Sequence, residues 1–347
     1  MKERDSVGSE RSRAKRNRPA SVTSPVSVWK EKENVGGNIV DTGVVILRTS
    51  GCRHFSDGGC SMCGYNVESR DGISEADLAA QFKNASARLD DIEFLKVYTS
   101  GSFLDDRETP NGIRELILRW CADRGLRLLV ESRAQFVTDD VMNALTGIHG
   151  DLEIAIGLES ANDRVLKYAI NKNMTVADYD RAATAVKKAG ASLRSYVLLK
   201  PPFLTEAEAV EDALATAKHA ALQSDTISVN PVNVQKGTLV ELLWRNWAYR
   251  PPWLWSVMEV LNSCTALDRK IVCEPTGGGK ERGAHNCGSC DAYLLDAIRE
   301  RSISQNRKDI ETLECECKGM WESVVELEGL VADGTVDLQR MFRSRTH

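Results

Sequence analysis

The sequence predicts an α/β protein built on parallel strands, followed by a smaller module rich in cysteine. Between residues 38 and 250, short β-branched runs alternate with amphipathic helical segments in six strand–helix repeats. Connections of this length favour parallel strands, because each return crossing needs a helix. After about residue 250 the alternation stops and paired cysteines appear. The expected division is therefore an N-terminal arm over 1–37, a core domain over 38–250, and a helical, cysteine-rich region over 251–347.

Each predicted strand is a short run of apolar and β-branched residues that ends in small or polar residues. The six strands are "TGVVILRT" (42–49), "EFLKVYTSGS" (93–102), "LRLLVESR" (126–133), "LEIAIGLES" (152–160), "SLRSYVLLK" (192–200) and "TISVNPV" (226–232). The number of strands does not decide between an open sheet and a barrel. In both folds the ligand site lies at the carboxyl ends of the strands, where these polar residues stand.

The helices between the strands carry recognisable start and stop signals. Ser74 precedes an acidic first turn and Thr138 precedes "DDVMNALTGI", so both are predicted N-caps. Gly125 follows "IRELILRWCADR" and Gly190 follows "TVADYDRAATAVKKA", and both are predicted helix ends. The last helix of the core is "TEAEAVEDALATAKHAAL".

The first 37 residues differ in charge from the rest of the chain. They contain nine Lys/Arg and five Asp/Glu, a charge of +4, whereas the whole chain carries −5 and the remainder therefore −9. The segment is rich in Ser and poor in apolar residues, so we expect it to be disordered. It would then serve either as a basic arm with affinity for phosphates or as a solvated tail.

The bulk composition is that of a soluble globular protein, with 42% hydrophobic and 27% charged residues. No apolar run approaches the roughly 20 residues that span a bilayer, so we expect no membrane association and a cytoplasmic protein. Ten cysteines without a secretory signal indicate metal or redox chemistry rather than disulfides. Cys121 stands alone in a helix and is predicted to be a buried apolar residue.

The segment "GCRHFSDGGCSMCGY" (51–65) places three cysteines directly after the first strand, with the spacing C-x7-C-x2-C. These are Cys52, Cys60 and Cys63. A zinc site would need a fourth ligand such as His54, but structural zinc sites favour closely paired cysteines. An iron–sulfur cluster with three cysteine ligands and one open iron fits the spacing and the position better.

These features resemble the radical S-adenosylmethionine superfamily. The resemblance implies a partial (β/α)6 barrel, a [4Fe–4S] cluster held by the three cysteines, and S-adenosylmethionine bound to the fourth iron. It also implies formation of a 5′-deoxyadenosyl radical that abstracts a substrate hydrogen. The sequence departs from the usual C-x3-C-x2-C spacing, and Met62 occupies a position that is often aromatic. A longer first gap is shared with the catalytic subunit of Elongator, which also acts on tRNA.

A closer resemblance extends along nearly the whole chain. The segments "GCRHFSDGGCSMCGY", "YTSGSFLDD", "ESR", "GLES", "KPPFL" and "HNCGSC" resemble the archaeal radical subunit of archaeosine synthase. This family implies two partners besides an electron donor: tRNA, and a subunit that adds lysine to 7-cyano-7-deazaguanine at position 15. The radical enzyme would then cleave the lysine carbon–nitrogen bond and leave the formamidine of archaeosine.

The same resemblance implies roles for the residues at the strand ends. Cys52, Cys60 and Cys63 match the cluster ligands. The implied contacts to S-adenosylmethionine are Tyr65, Ser100, Gly101, Ser102, Glu131, Arg133, Glu159 and Arg194. For Glu159 and Arg194 a buried ion pair within the barrel is the alternative. No side chain is predicted to act as a catalytic acid or base, because the cofactor carries the reaction.

A second group of soft ligands lies near the C-terminus. Its members are His285, Cys273, Cys287, Cys290, Cys315 and Cys317. Two close cysteine pairs separated by about 24 residues predict a zinc site formed by a subset of these residues. An auxiliary iron–sulfur cluster and free thiols are the alternatives.

The segment "WRNWAYRPPWLW" (244–255) concentrates four tryptophans and two arginines. It is consistent with stacking on unpaired bases, with an interface to the partner subunit, or with core packing. For the chain as a whole, the alternatives to the radical lyase are another radical tRNA-modifying enzyme, like Elongator, and a non-catalytic protein that binds zinc or nucleic acid.

Overall fold

The computed structural model describes residues 21–331, and its eight strands form one mixed sheet in the order β1 to β8. The strands are β1 (Ser27–Val35), β2 (Asn38–Ile46), β3 (Phe94–Tyr98), β4 (Arg127–Ser132), β5 (Leu152–Glu159), β6 (Ser192–Leu199), β7 (Thr226–Pro231) and β8 (Lys270–Cys273). The six predicted strands correspond to β2 to β7.

One or two α-helices separate each pair of successive strands from β2 to β8, and three more follow β8. They are α1 (Arg53–Ser56), α2 (Glu75–Ser86), α3 (Asn111–Ala122), α4 (Asp139–Ile148), α5 (Val176–Lys188), α6 (Glu206–Ala220), α7 (Leu239–Arg245), α8 (Leu254–Ser263), α9 (Asp291–Ser304), α10 (Lys308–Glu311) and α11 (Cys317–Val331). Within residues 21–331, no helix has the length and the apolar character needed to cross a membrane.

The chain divides into two compact units, of which the first comprises residues 21–59, 64–157 and 177–194. In this unit β1 pairs antiparallel with β2, whereas β2, β3, β4 and β5 pair in parallel. The strand interiors are fully buried; examples are Val44, Leu95, Leu129 and Ile154. Cys121 is also fully buried, as predicted, and burial raises the pKa of its thiol to about 12.

The predicted helix starts in this unit are confirmed. The Ser74 hydroxyl accepts a hydrogen bond from the Asp77 amide, and the Asp77 carboxylate accepts one from the Ser74 amide, which together form a capping box. The Thr138 hydroxyl accepts a hydrogen bond from the Val141 amide, 3.3 Å away. Gly125 follows α3 with a φ of +63°, the left-handed conformation that favours glycine at the end of a helix.

The disorder predicted for residues 1–37 does not extend to β1, and this expectation is corrected for residues 27–35. Gly36 and Gly37 form the two-residue turn between β1 and β2, with φ values of +57° and +90°. Two successive positive φ values match the right-handed twist of a hairpin, and glycine adopts them without strain. Residues 1–20 of the predicted arm lie outside the described residues.

The second unit comprises residues 60–63, 158–176 and 195–331. Its strands β7 and β8 pair in parallel, with Thr226 opposite Lys270 and Val229 opposite Cys273. The strand–helix alternation therefore continues one strand beyond residue 250, where it was expected to stop. A four-residue strand such as β8 is too short to carry a periodic signal.

Candidate functional site

The cysteine loop, residues 51–65, follows β2, which ends at Ile46, and its first cysteine, Cys52, lies in the first unit. Cys52 is the N-cap residue of α1, and its amide donates a hydrogen bond to the Asn66 side-chain oxygen at 3.1 Å. Gly51 has a φ of +94°, and a Cβ built there would lie 2.2 Å from that oxygen. Only glycine fits this position, so Asn66 and Gly51 together fix the backbone that presents Cys52.

Gly101 packs directly against Cys52. A Cβ built at Gly101 would lie 2.7 Å from the Cys52 Cβ and 2.8 Å from its Cα, both closer than real side chains approach. The loop that follows β3 therefore reaches Cys52 only because residue 101 has no side chain. The structure thus brings together Cys52 and Gly101, which the sequence had placed in one site.

A buried carboxylate, that of Glu108, holds the same loop in place. Its Oε2 accepts a hydrogen bond from the Ser102 amide at 2.6 Å, and its Oε1 accepts one from the Thr49 hydroxyl at 2.7 Å. Burial raises the pKa of Glu108, although hydrogen bonds from Thr49, Ser102 and Gly101 oppose the shift. Sequence reasoning missed Glu108, because a single acidic residue in an irregular segment gives no signal.

Further hydrogen bonds connect the loop after β3 to its neighbours. The Ser100 hydroxyl lies 2.9 Å from the Ser69 hydroxyl, and the Ser102 hydroxyl accepts a hydrogen bond from the Arg133 amide at 3.0 Å. The Phe103 amide donates to the Glu131 carbonyl at 2.8 Å. Tyr65 lies in a short 3₁₀ helix and is 57% exposed. In the first unit, Ser100–Ser102 and the end of β4 thus form one hydrogen-bonded network.

Arg194 lies in β6 and takes part in a buried network of charges. Its guanidinium donates to Glu153 at 2.8 Å and to Glu33 at 3.1 Å. Lys96 in β3 also pairs with Glu33, and its ammonium lies 2.6 Å from Glu31. Arg194 is only 4% exposed. Its contacts in this unit are therefore those of a buried ion pair, and a role toward S-adenosylmethionine remains a prediction.

In the second unit, residues 60–63 are held by backbone hydrogen bonds. The Ser61 amide donates to the Ile170 carbonyl at 2.8 Å, and the Ser61 carbonyl accepts from the Val240 amide at 3.2 Å. Cys60 and Cys63 are both half-buried. Their thiols stand on a short segment whose backbone is anchored on both sides.

Glu159, the last residue of β5, has a left-handed backbone with a φ of +66°. Its carboxylate pairs with Lys172 at 2.6 Å, and both side chains are largely buried. Its role toward the cofactor likewise remains a prediction.

The second unit gathers four cysteine sulfurs into one cluster. The sulfurs of Cys287, Cys290, Cys315 and Cys317 all lie within 4.8 Å of one another. Four thiolates at such separations are the donor set of a structural zinc site, although they also suit iron. The two predicted cysteine pairs therefore meet.

The two other candidate ligands lie outside this cluster. The amide of Cys273 at the end of β8 donates to the Ser302 hydroxyl at 2.9 Å, and its thiol is fully buried. The Nδ1 atom of His285 lies 2.8 Å from the Gly283 carbonyl. The structure thus selects four members from the six candidates, which the cysteine spacing alone did not do.

Neighbouring polar groups donate hydrogen bonds to the sulfurs of the cluster. Hydrogen bonds, led by the Cys290 amide, lower the pKa of the Cys287 thiol to about 6, which favours the thiolate that metals bind. The Trp255 indole donates to the Cys317 sulfur at 3.2 Å, and the Asn286 amide group to the Cys290 sulfur at 3.4 Å. Asn286 also accepts a hydrogen bond from the Leu254 amide at 2.8 Å. The cluster is thereby tied to the start of α8, a connection that sequence reasoning missed.

The four tryptophans of residues 244–255 differ in their surroundings. Trp253 and Trp255 are buried at 8% and 3% exposure, so core packing accounts for them. Trp244 is half-buried beneath Arg282, whose guanidinium carbon lies 4.7 Å from the ring centre. Trp247 is 96% exposed, and core packing does not account for it.

Curated relatives match the chain over nearly its whole length, and two of them carry the same name. Archaeosine synthase subunit beta of Methanosarcina acetivorans is 39% identical over 320 residues, which cover 90% of this chain and 92% of that protein. The subunit of the same name from Thermococcus kodakarensis is 37% identical over 313 residues, covering 87% of this chain and 97% of that protein. No protein-family model matches the sequence.

Among solved structures, methylornithine synthase aligns with a TM-score of 0.50 over 77% of this chain and 70% of that chain. The aligned residues are 15% identical, so this likeness concerns the fold. The predicted fold class, an α/β partial barrel of strand–helix repeats with a C-terminal cysteine cluster, is confirmed.

Proposed function

The chain belongs to the family of archaeosine synthase subunit beta, and from this premise we propose that it is a radical S-adenosylmethionine enzyme of tRNA modification. Its relatives are named as subunits, which implies a second subunit. In the proposed reaction, that subunit attaches lysine to 7-cyano-7-deazaguanine at position 15 of tRNA. The present chain then cleaves the lysine carbon–nitrogen bond and leaves the formamidine of archaeosine.

The observation that carries this proposal is the cysteine loop at the carboxyl end of β2. Thiolates are the ligands that iron–sulfur clusters take, and Cys52, Cys60 and Cys63 provide three of them. The close approach of Gly101 to Cys52 supports the assignment, because it brings the backbone of residues 100–102 to the first of these ligands. A small-residue loop in this place suits a bound amino acid group, since backbone atoms can contact it directly.

When bound, the cluster and S-adenosylmethionine would supply a 5′-deoxyadenosyl radical that abstracts a hydrogen atom from the lysine side chain of the adduct, and the carbon–nitrogen bond would break from the resulting carbon radical. The residues of the chain itself bind and orient the cofactor. Glu108 and Asn66 hold the two loops, and the Ser100–Ser102 loop is assigned to the methionyl group. Further contacts to the cofactor are assigned to Tyr65, Glu131, Arg133, Glu159 and Arg194.

For the second cluster we propose a structural zinc ion held by Cys287, Cys290, Cys315 and Cys317. Closed sites with four cysteines in two pairs are typical of zinc that stabilises a fold. Because the four sulfurs come from segments 287–290 and 315–317, metal binding would join the start of α9 to the start of α11. This supports a structural role rather than a redox one.

The first test of the proposed function is anaerobic reconstitution with iron and sulfide, followed by reduction with dithionite and addition of S-adenosylmethionine. We expect [4Fe–4S] absorbance and formation of 5′-deoxyadenosine. The Cys60→Ala variant should abolish both, and the Cys121→Ala variant, which removes a buried thiol outside both groups, should retain both. A chain that forms neither the cluster nor 5′-deoxyadenosine would instead be a non-catalytic binding protein.

The second test is mass spectrometry of tRNA that carries the lysine adduct, after incubation with the chain and the lysine-transferring subunit. The proposal predicts conversion of the adduct to archaeosine. Formation of 5′-deoxyadenosine with an unchanged adduct would favour another radical tRNA-modifying enzyme, such as one like Elongator.

A further inference from the structure

The segments that follow β7 and β8 contribute to an aromatic and basic surface that the proposed reaction does not use. We name it the tryptophan surface and define it by Trp244, Arg245, Trp247 and Arg282. Arg245 and Arg282 both pair with Glu241, at 3.0 Å and 2.7 Å, and Arg282 stacks on Trp244. Trp244, Arg245 and Arg282 are therefore held together by one carboxylate and one aromatic ring, and Trp247 lies two residues after Arg245 in the chain.

The backbone conformation and the exposure of Trp247 indicate that this side chain does not stabilise the fold. Helix α7 ends in a Schellman motif, because the Ala248 amide donates to the Leu243 carbonyl at 2.9 Å and the Trp247 amide to the Trp244 carbonyl at 3.1 Å. Trp247 occupies the left-handed position of this motif with a φ of +58°, where glycine is usual. A tryptophan there is strained and, at 96% exposure, buries almost none of its surface.

The charge around this residue favours a polyanionic partner. Residues 235–250 contain Lys236, Arg245 and Arg250 against Glu241, and residues 280–285 contain Lys280 and Arg282 against Glu281. The two segments together carry +3, although the whole chain carries −5. Lys236 and Lys280 are exposed, and exposed lysine is depleted in protein–protein interfaces but suits contact with phosphates.

We propose that the tryptophan surface binds tRNA, with an unpaired base stacked on Trp247 and phosphates contacted by Arg245 and Arg282. Aromatic rings flanked by arginine are the common means of holding unstacked bases in RNA. This inference rests on the proposed function in taking tRNA as the partner, and it adds the surface by which tRNA is held.

The test measures binding of unmodified tRNA transcript to the full chain by fluorescence anisotropy at several salt concentrations. Trp247→Gly is the decisive variant, because glycine relieves the left-handed strain and should leave the thermal unfolding temperature equal or higher. We expect this variant to bind tRNA about 5- to 150-fold more weakly, as loss of one stacked base predicts. The dependence of binding on salt should not change, since no charge is lost.

Arg245→Ala should weaken binding and also lower the slope of log affinity against log salt by about 0.7 to 0.9, the value for one phosphate contact. Two matched controls lie elsewhere in the second unit. Leu222→Ala removes an apolar side chain that is 74% exposed, and Arg299→Ala removes an arginine whose side chain is 66% exposed. Both controls should bind tRNA like the parent protein.

Unchanged tRNA binding by Trp247→Gly and Arg245→Ala would overturn the inference. If those variants instead lose the lysine-transferring subunit in a pull-down, the surface is a protein interface. Formation of 5′-deoxyadenosine by the parent protein distinguishes failure of this inference from failure of the proposed function. If the parent forms this product and the variants still bind tRNA normally, only the present inference fails, whereas a parent that does not form it contradicts the proposed function itself.

Discussion

At the scale of single residues, the contact between Gly101 and Cys52 is the most sensitive point of the candidate site. A methyl group at residue 101 would meet Cys52 at 2.7 Å and 2.8 Å and the Glu108 carboxylate at 2.7 Å. Gly101→Ala must therefore push the two loops apart, at a cost of about 1–3 kcal/mol in the free energy of unfolding. We also expect a lower iron content after reconstitution and less 5′-deoxyadenosine.

A matched control for Gly101→Ala is Gly147→Ala. Gly147 lies inside α4, and a Cβ built there has no heavy atom within 4 Å. Alanine favours the helix more than glycine does, so this variant should be neutral or more stable by up to about 1 kcal/mol. Equal iron content in both variants would contradict the importance of the close approach at residue 101.

The raised pKa of a second residue, Asp212 in α6, leads us to expect that the stability of the protein depends on pH. Burial raises the pKa of this carboxyl to about 6, although a hydrogen bond from Ser160 at 2.7 Å opposes the shift. Because the folded pKa lies above the unfolded one, the native state binds more protons between about pH 4 and pH 6. The stability that this group contributes is therefore present below pH 4 and is lost as the pH rises to 6, by roughly 3 kcal/mol.

Asp212→Asn removes this titration and keeps the acceptor for Ser160. Urea unfolding at pH 4.5 and pH 7.5 should show that the variant becomes more stable relative to the parent protein at the higher pH. A difference in free energy that stays constant between the two pH values would contradict the raised pKa.

At the scale of elements, the antiparallel strand β1 contributes charge to the interior of the first unit. Glu33 is 7% exposed and pairs with Lys96 and Arg194, which are 3% and 4% exposed. Glu33→Gln leaves both cations without this partner, so we expect a loss of about 3 kcal/mol, near the low end for broken buried pairs because each cation keeps another carboxylate. Thermal or urea unfolding measures this loss.

The neighbouring residue of the same strand provides the control. Lys32 pairs with Asp41 at the surface, where the two side chains are 57% and 46% exposed. Lys32→Ala should cost less than about 1 kcal/mol. If both substitutions in β1 cost the same, the buried network would not contribute to stability as we expect.

The same element shows where sequence reasoning reaches its limit. The strands β2 to β7 were predictable because each is a short run of apolar and β-branched residues bounded by turn residues. In contrast, β1 alternates charged residues with a few apolar ones and lies next to a basic segment, so its composition suggested disorder. The pair Gly36-Gly37 was the available hairpin signal. The ion-pair partners of Glu33 depend on the order of the strands in the sheet, and a local sequence pattern does not predict that order.

At the scale of the whole molecule, metal chemistry was predictable as a class but not as a set of ligands. Cysteine pairs can be read from the sequence because their spacing is local. Which pairs meet depends on the fold between residues 290 and 315, and here the four sulfurs of that cluster lie within 4.8 Å of one another. Cys273 and His285 were plausible ligands by proximity in the sequence, yet their hydrogen bonds lie with Ser302 and Gly283.

This selection of ligands leads to a prediction about metal content and folding of the complete chain. Elemental analysis of the purified parent protein by inductively coupled plasma mass spectrometry should find about one zinc ion per chain, in addition to iron. Cys290→Ser should lose that zinc and become less soluble, because structural zinc contributes folding free energy and Cys290 is fully buried. Cys273→Ala and His285→Ala should retain the zinc. Iron in place of zinc after anaerobic purification would establish an auxiliary cluster, and loss of zinc in the Cys273 or His285 variant would contradict the four-cysteine set.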